Sequence, residues 1–201
     1  MRKSLEQRDK EIEHVYFVEH GLASVVAKSR ADGRSIEVGV IGCEGVTALP
    51  LILGTDRSPH DTFMQVAGDG QRISADNFRR AMAASNTLRD RLLLWAHVLS
   101  VQIAQTAFAN GRSKIEDRLA RWLLMAHDRL GGDELALTHE FLAVMLGVRR
   151  PGVTLALKLL ENDGLIVAKR GLVTIIDREG LIEACNGVYG APEAEHRRVF
   201  G

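Results

Sequence analysis

Two adjacent arginines, Arg149 and Arg150, stand ahead of Pro151-Gly152 and an apolar run at helical spacing, Val153, Leu157 and Leu160. A cation at a helix N-terminus opposes the macrodipole by about 0.3–1 kcal/mol, and Asp or Ser would cap better, so two arginines there point to an anionic partner outside the chain. A guanidinium can bond O6 and N7 of guanine together, a pattern no other base pair presents. The free N–H groups of the same helix start attract phosphate. Further on, "LIVAKRGLVTII" (165–176) sets Lys169-Arg170-Gly171 between two apolar strand-like runs, which puts two cations at a hairpin tip. Arg149, Arg150, Lys158, Lys169 and Arg170 face only Glu161 and Asp163 over 149–170, an excess of three positive charges. Thr138, His139 and Thr154 complete the candidate DNA-contacting set.

The elements around these residues give them a geometry. "LTHEFLAVMLG" (137–147) reads as a helix capped by Thr138, stopped by Gly147, and turned inward through Phe141, Leu142, Met145 and Leu146. Val148 alone separates it from a second helix over 149–164, with Pro151 in the first turn and Gly164 as the stop. Two helices joined by a short Gly-containing turn make a helix-turn-helix, whose second helix lies in the major groove with its N-terminal residues at base edges. The basic hairpin that follows gives a winged helix-turn-helix order, its cations holding backbone rather than reading sequence. A last helix over 177–185 is capped by Asp177.

Upstream, Ser113 and Glu116 have capping-box spacing at the start of a helix over 113–130. Before it, Leu88, Leu92, Trp95, Leu99, Gln102 and Thr106 recur at steps of three and four, marking one long helix that ends near Gly111. Its stripe fits burial on its own domain or on a twin equally well. Residues 12–73 read as β: a run over 15–27 broken at Gly21, an Asp32-Gly33 turn, and a strand alternating Ile36, Val38 and Val40 against Glu37 and Gly39. A strand, a Gly-Asp-Gly turn and a short return follow over 61–73. Short strands with Gly turns suggest a small barrel or jelly roll.

The chain has 201 residues, 46% hydrophobic, with 26 basic and 26 acidic side chains. Zero net charge excludes a uniformly basic nucleic-acid coat but not a local patch. Cys43 and Cys185 form no disulfide framework and are too few for a four-thiolate cluster. The charged start "MRKSLEQRDKEIEH" is no signal peptide, and the apolar stretch over 92–108 is interrupted by His97, Ser100, Gln102 and Gln105, so a soluble cytoplasmic protein without a membrane span is expected. No nucleophile motif, phosphate-cradling glycine loop or metal-ligand spacing is present, so no enzyme, metal or cofactor is predicted. His14, His20, His60 and His97 read as surface or structural residues.

The chain resembles the Crp/Fnr family of bacterial transcription regulators from about Ile12 to Cys185. The resemblance is strongest through Thr138, Gly147, Val148, Arg150, Val153, Leu160 and Ile166. It implies an α+β fold with a β-roll effector domain over 1–86, a dimerisation helix over 87–110 and a winged helix-turn-helix domain with a C-terminal tail over 111–201. It further implies a homodimer seamed along the long helix, a near-palindromic DNA operator, and RNA polymerase as a partner. The chain departs from the family pattern in three places at the DNA end. Pro151 stands for a glutamate after Arg150, Leu155 for an arginine one turn on, and Arg149 for a small capping residue. In the sensor, Gly42, Glu44 and Gly45 resemble the ribose-binding part of the family's cyclic-nucleotide site. Arg57-Ser58 falls too early to be its phosphate pair, and Asp61 would repel a phosphate. Glu44 and Arg57 are thus the effector candidates, cyclic nucleotide is not expected, and the effector stays open. The short segment before Ile12 leaves the completeness of the roll open too. The alternative reading is a protein-interaction module that keeps the fold but not DNA reading, with Leu155 as an exposed anchor.

Overall fold

The structure, a computed structural model, describes residues 3–201; Met1 and Arg2 of the charged N-terminal stretch lie outside the described residues. Strands β1 (Ser4–Glu6), β2 (His14–Val18), β3 (Leu22–Lys28) and β4 (Ser35–Ile41) precede the short helix α1 (Leu49–Ile52). Strands β5 (Asp61–Val66) and β6 (Gly70–Ser74) then lead into α2 (Ala75–Ala84). One sheet has the order β1-β5-β3-β4, with antiparallel pairing throughout, and β2 pairs with β6 in a second. The segment read as a return beside β5 therefore joins the other sheet. Its crossing brings Gly68 against the His20 carbonyl, where a Cβ would overlap backbone.

The expected alternation in β4 also fails. Glu37 is 4% exposed, and Val38 is only half-buried. The register shifts between Val25, which faces Gly39, and Val26, which faces Glu37, so Val38 of β4 is the extra, bulged residue, and the sheet is covered on both faces. Ala23 and Ile41 belong to the core of the roll, whereas Leu22, Val26 and Val40 belong to the core of the C-terminal half. A strand covered on both faces has no solvent side for a charged residue to occupy.

Helix α3 (Asn86–Arg112) begins at Ser85, whose hydroxyl accepts from Leu88 N. It runs through Gly111 and ends at Ser113, beyond the stop read from the sequence. The stripe assigned to a dimer seam lies inside the chain instead. Leu92, Trp95, Leu99 and Gln102 are buried against the roll, and Leu88 and Thr106 are partly buried. Hydrogen bonds fix this side: Gln102 Oε1 accepts from Val40 N at 2.7 Å, its Nε2 donates to Val40 O at 3.2 Å, and Trp95 Nε1 donates to Val46 O at 3.0 Å. The opposite face leaves Leu93 and Phe108 exposed, with Ala104 and Ala107 between them.

The C-terminal half comprises α4 (Ile115–Leu130), β7 (Glu134–Leu135), α5 (His139–Leu146), α6 (Arg150–Asn162), β8 (Ile166–Lys169), β9 (Leu172–Ile175), α7 (Arg178–Ala184) and α8 (Ala191–Phe200). Its sheet has the order β7-β9-β8. The α4 cap lies one residue beyond the expected pair: Lys114 N donates to the Asp117 carboxylate at 3.3 Å. Asp177 caps α7 as expected, accepting from Gly180 N. The C-terminal tail expected from the sequence is the helix α8, which lies along α3. His97 Nε2 stands 2.6 Å from Glu195 Oε1, and Arg91 lies over the Phe200 ring at 5.8 Å.

Candidate nucleic-acid interface

Helix α5 forms as its sequence dictates. The Thr138 hydroxyl accepts from Phe141 N at 3.2 Å, and Gly147 closes the helix at φ +62, a left-handed conformation that disfavours a Cβ. Phe141, Leu142, Met145 and Leu146 are buried, as are Val153, Ala156, Leu157 and Leu160 of α6. These two apolar faces hold α5 and α6 at a fixed angle, with Val148 N donating to Ala143 O across the turn. Gly152 seats the start of α6 against α4, where an added Cβ would stand 3.2 Å from Ile115 Cδ1.

The first turn of α6 has no side-chain cap. Arg149 is the N-cap in extended conformation, Arg150 follows, and Pro151 brings no N–H. Arg149, Arg150, Lys158, Lys169 and Arg170 are all exposed, and none forms an ion pair among the described residues. Lys169 pairs with Leu172 across the wing, and Arg170-Gly171 makes the tip, with Gly171 at φ +77. One of the two acids nearby has an internal role. Glu161 Oε1 accepts from Ala168 N at 2.9 Å, which ties the root of the wing to α6.

The remaining polar candidates are partly occupied. The Thr154 hydroxyl donates to Arg150 O at 3.2 Å and lies 3.0 Å from His139 Nδ1. Thr154 and His139 thus brace α6 on α5, and Thr138 caps α5. At the roll end, Glu44 and Arg57 do not share a site. Glu44 Oε1 accepts from Arg129 Nε at 2.7 Å and lines a cavity of about 250 Å³ with Trp95, Gln102 and Pro192. Arg57 is exposed elsewhere and donates to Asp9 O at 3.3 Å. Asp61, 2.5 Å from Lys28 Nζ, has its carboxyl held low despite partial burial. Among the described residues no group of three His, Cys, Asp or Glu could hold a metal ion. Burial pushes the Cys185 thiol up to about 12.

The sequence reading missed the contact between roll and head. Glu37 of β4 accepts from Trp122 Nε1 of α4 at 2.5 Å and from Ser24 Oγ at 2.5 Å. Burial raises its pKa to about 7, opposed by those two hydrogen bonds and by Arg121 and Arg129. Arg121 is itself 4% exposed, with Nε and Nη2 unpartnered among the described residues. Beside it, Ile36 rests on Gly147, so β4 touches the turn of the helix-turn-helix. The indole N–H of a core tryptophan needs an acceptor, and that was the one signal in the sequence for this contact.

A roll, a long helix and a head of this kind define a winged helix-turn-helix protein carried on a β-roll. Residues 117–184 match the family model described as the Crp-like helix-turn-helix domain. No curated protein matches the chain. Its fold is similar to that of TTHB099, a CRP-family transcriptional regulator of Thermus thermophilus, with a TM-score of 0.78 at 19% identity, covering 94% of this chain and 96% of that one. FixK2 of Bradyrhizobium japonicum gives 0.78 at 17% identity, covering 94% of each. The c-di-GMP-responsive global regulator CLP of Xanthomonas campestris gives 0.66 at 19% identity, covering 87% of this chain and 90% of that one. The chain thus has the Crp/Fnr fold and carries a Crp-like DNA-binding helix-turn-helix domain.

Proposed function

We propose that this chain is a homodimeric, sequence-specific transcription regulator that reads a near-palindromic operator through α6 and holds it with the wing. The observation that carries this reading is the set of five exposed cations on α6 and the wing that form no ion pair among the described residues. Arg150, and Arg149 beside it, would meet guanine; Lys158, Lys169 and Arg170 would meet phosphate. The Crp/Fnr fold supports RNA polymerase as a partner and the cytoplasm as the location.

The seam of the dimer is the open face of α3, through Leu93, Ala104, Ala107 and Phe108, rather than the stripe seated on the roll. Between positions 92 and 111 the helix has no Asp, Glu, Lys or Arg. Only 39% of its most apolar stretch is buried within the chain, and a second α3 would cover the rest. The roll does not take a cyclic nucleotide in this reading: Glu44 is paired with Arg129, Arg57 lies apart from it, and Asp61 adds negative charge. Other effectors remain compatible with the fold.

Selection of bound duplexes from a random pool tests this directly. The expected product is a two-fold-related site whose halves are centred about one helical turn apart. A second reading is favoured by Leu155 at 61% exposed and Leu159 at 40%: a head that docks on a protein. No enrichment from the pool, together with no duplex shift at low salt, would select it over the first.

A further inference from the structure

The face of α6 that carries Arg150 continues through Pro151, Thr154, Leu155 and Lys158, which together line one shallow depression. It holds no carboxylate to accept from cytosine N4 and no amide to match the donor and acceptor of adenine. Its one neutral hydroxyl, on Thr154, donates to Arg150 O. Between the two cations at its ends the face is apolar. Pro151 and Leu155 are four residues apart and therefore neighbours one turn along the helix. Leu155 is 61% exposed, the second most exposed of the large apolar side chains after Leu53.

In the major groove the base edges offer one apolar group, the C5-methyl of thymine. We propose that Pro151 and Leu155 are a thymine-methyl reader, so that each half-site sets thymine beside the guanine met by Arg150. This rests on the reading that α6 enters the major groove. The occupant follows from charge: Arg150 and Lys158 bracket the apolar pair, Arg149 precedes them at the N-cap of the same helix, and no acid lines the depression. Such a set suits a polyanion that carries methyl groups. The family departures at Pro151 and Leu155 then form one device, since a carboxylate at 151 or a cation at 155 would each remove part of the apolar surface.

Replacing thymine by deoxyuridine in the selected operator is the test. Deoxyuridine keeps every hydrogen-bonding group and deletes only the methyl. The full-length protein is expected to bind about four-fold more weakly for each contacted thymine replaced, the equivalent of ~0.8 kcal/mol for one buried carbon. A replacement outside the half-sites should have no effect. Leu155→Ala should bind the thymine operator about as weakly as the native protein binds the uridine one, and lose the difference between them. It should keep its guanine preference. Specific binding in which thymine and uridine are equal at every half-site position overturns the proposal while leaving operator reading intact. So does a Leu155→Ala protein that still distinguishes them. Absence of any specific duplex binding overturns both, and capture of a protein that Leu155→Ala abolishes would then assign the face to a protein partner.

Discussion

At the head, Arg149, Arg150, Lys158, Lys169 and Arg170 stand in solvent with no ion pair among the described residues. At the seam between roll and head, Glu37 and Arg121 are buried, Arg129 is partly buried against Glu44, and Glu37 and Arg129 are each joined to a group on the other half. The two regions use charge in opposite ways. An exposed cation costs little on folding and stays available to an outside anion. A buried charge must be met inside the molecule, so each pair fixes where one half sits on the other. Substitutions at the seam should therefore register as lost stability, and substitutions at the head as lost binding.

The largest expected effect is at the seam. Trp122 is 3% exposed, stacks edge-on against Phe141 at 5.3 Å, and donates to Glu37. Trp122→Ala should lower the unfolding free energy by about 3–5 kcal/mol in urea titration; a loss under 1 kcal/mol would mean that the seam does not hold the halves together. Next is the pH response of Glu37. Its carboxyl titrates near 7 in the folded chain against an ordinary 4.5, so the folded state favours the proton. That contribution is fully present below about 4.5 and is lost as pH rises through about 7, on the order of 3 kcal/mol at most. The native protein should lose stability from pH 5 to pH 8 more steeply than Glu37→Gln, whose amide is already neutral. Parallel pH profiles for the two would count against this assignment.

At the head the expected changes are in binding. Arg150→Ala should weaken the selected operator by about 1–3 kcal/mol and relax one base position, with unfolding changed by no more than about 0.5 kcal/mol. If its unfolding shifts by as much as Trp122→Ala, the contrast between the regions fails. The smallest effect is that of Lys169→Ala. It should weaken all duplexes alike and lower the slope of log affinity against log salt by about one. A sequence-dependent loss there would move the wing from backbone holding to base reading.

The head was legible in the sequence because its signals are local. Thr138 and Gly147 sit at the ends of α5, Asp177 caps α7, and the apolar positions of α5 and α6 follow the helical period. The roll and the seam were less legible because partners distant in sequence decide them. Glu37 occupies the polar side of an alternating strand, yet α4 covers that side with Trp122, 85 residues away. The α3 stripe was visible, but its partner was not, and Gln102 bonding to Val40 settles it in favour of the roll. Thr154 has the type and position of a base-contacting residue, but Arg150 O and His139 Nδ1 occupy its hydroxyl, partners that sequence spacing does not reveal. The exposure of Leu155 could be inferred from helical phase, and the structure adds that it stays 61% exposed among the described residues.

The central claim is that Arg150 and Arg149 at the start of α6 read a DNA sequence while Lys158 and the wing cations hold its backbone. Its most direct test is an equilibrium titration of the native protein, at one fixed salt concentration, against the selected operator and a scrambled duplex of equal length. The account predicts at least about 10³-fold tighter binding of the operator. Equal affinity for the two duplexes would contradict it.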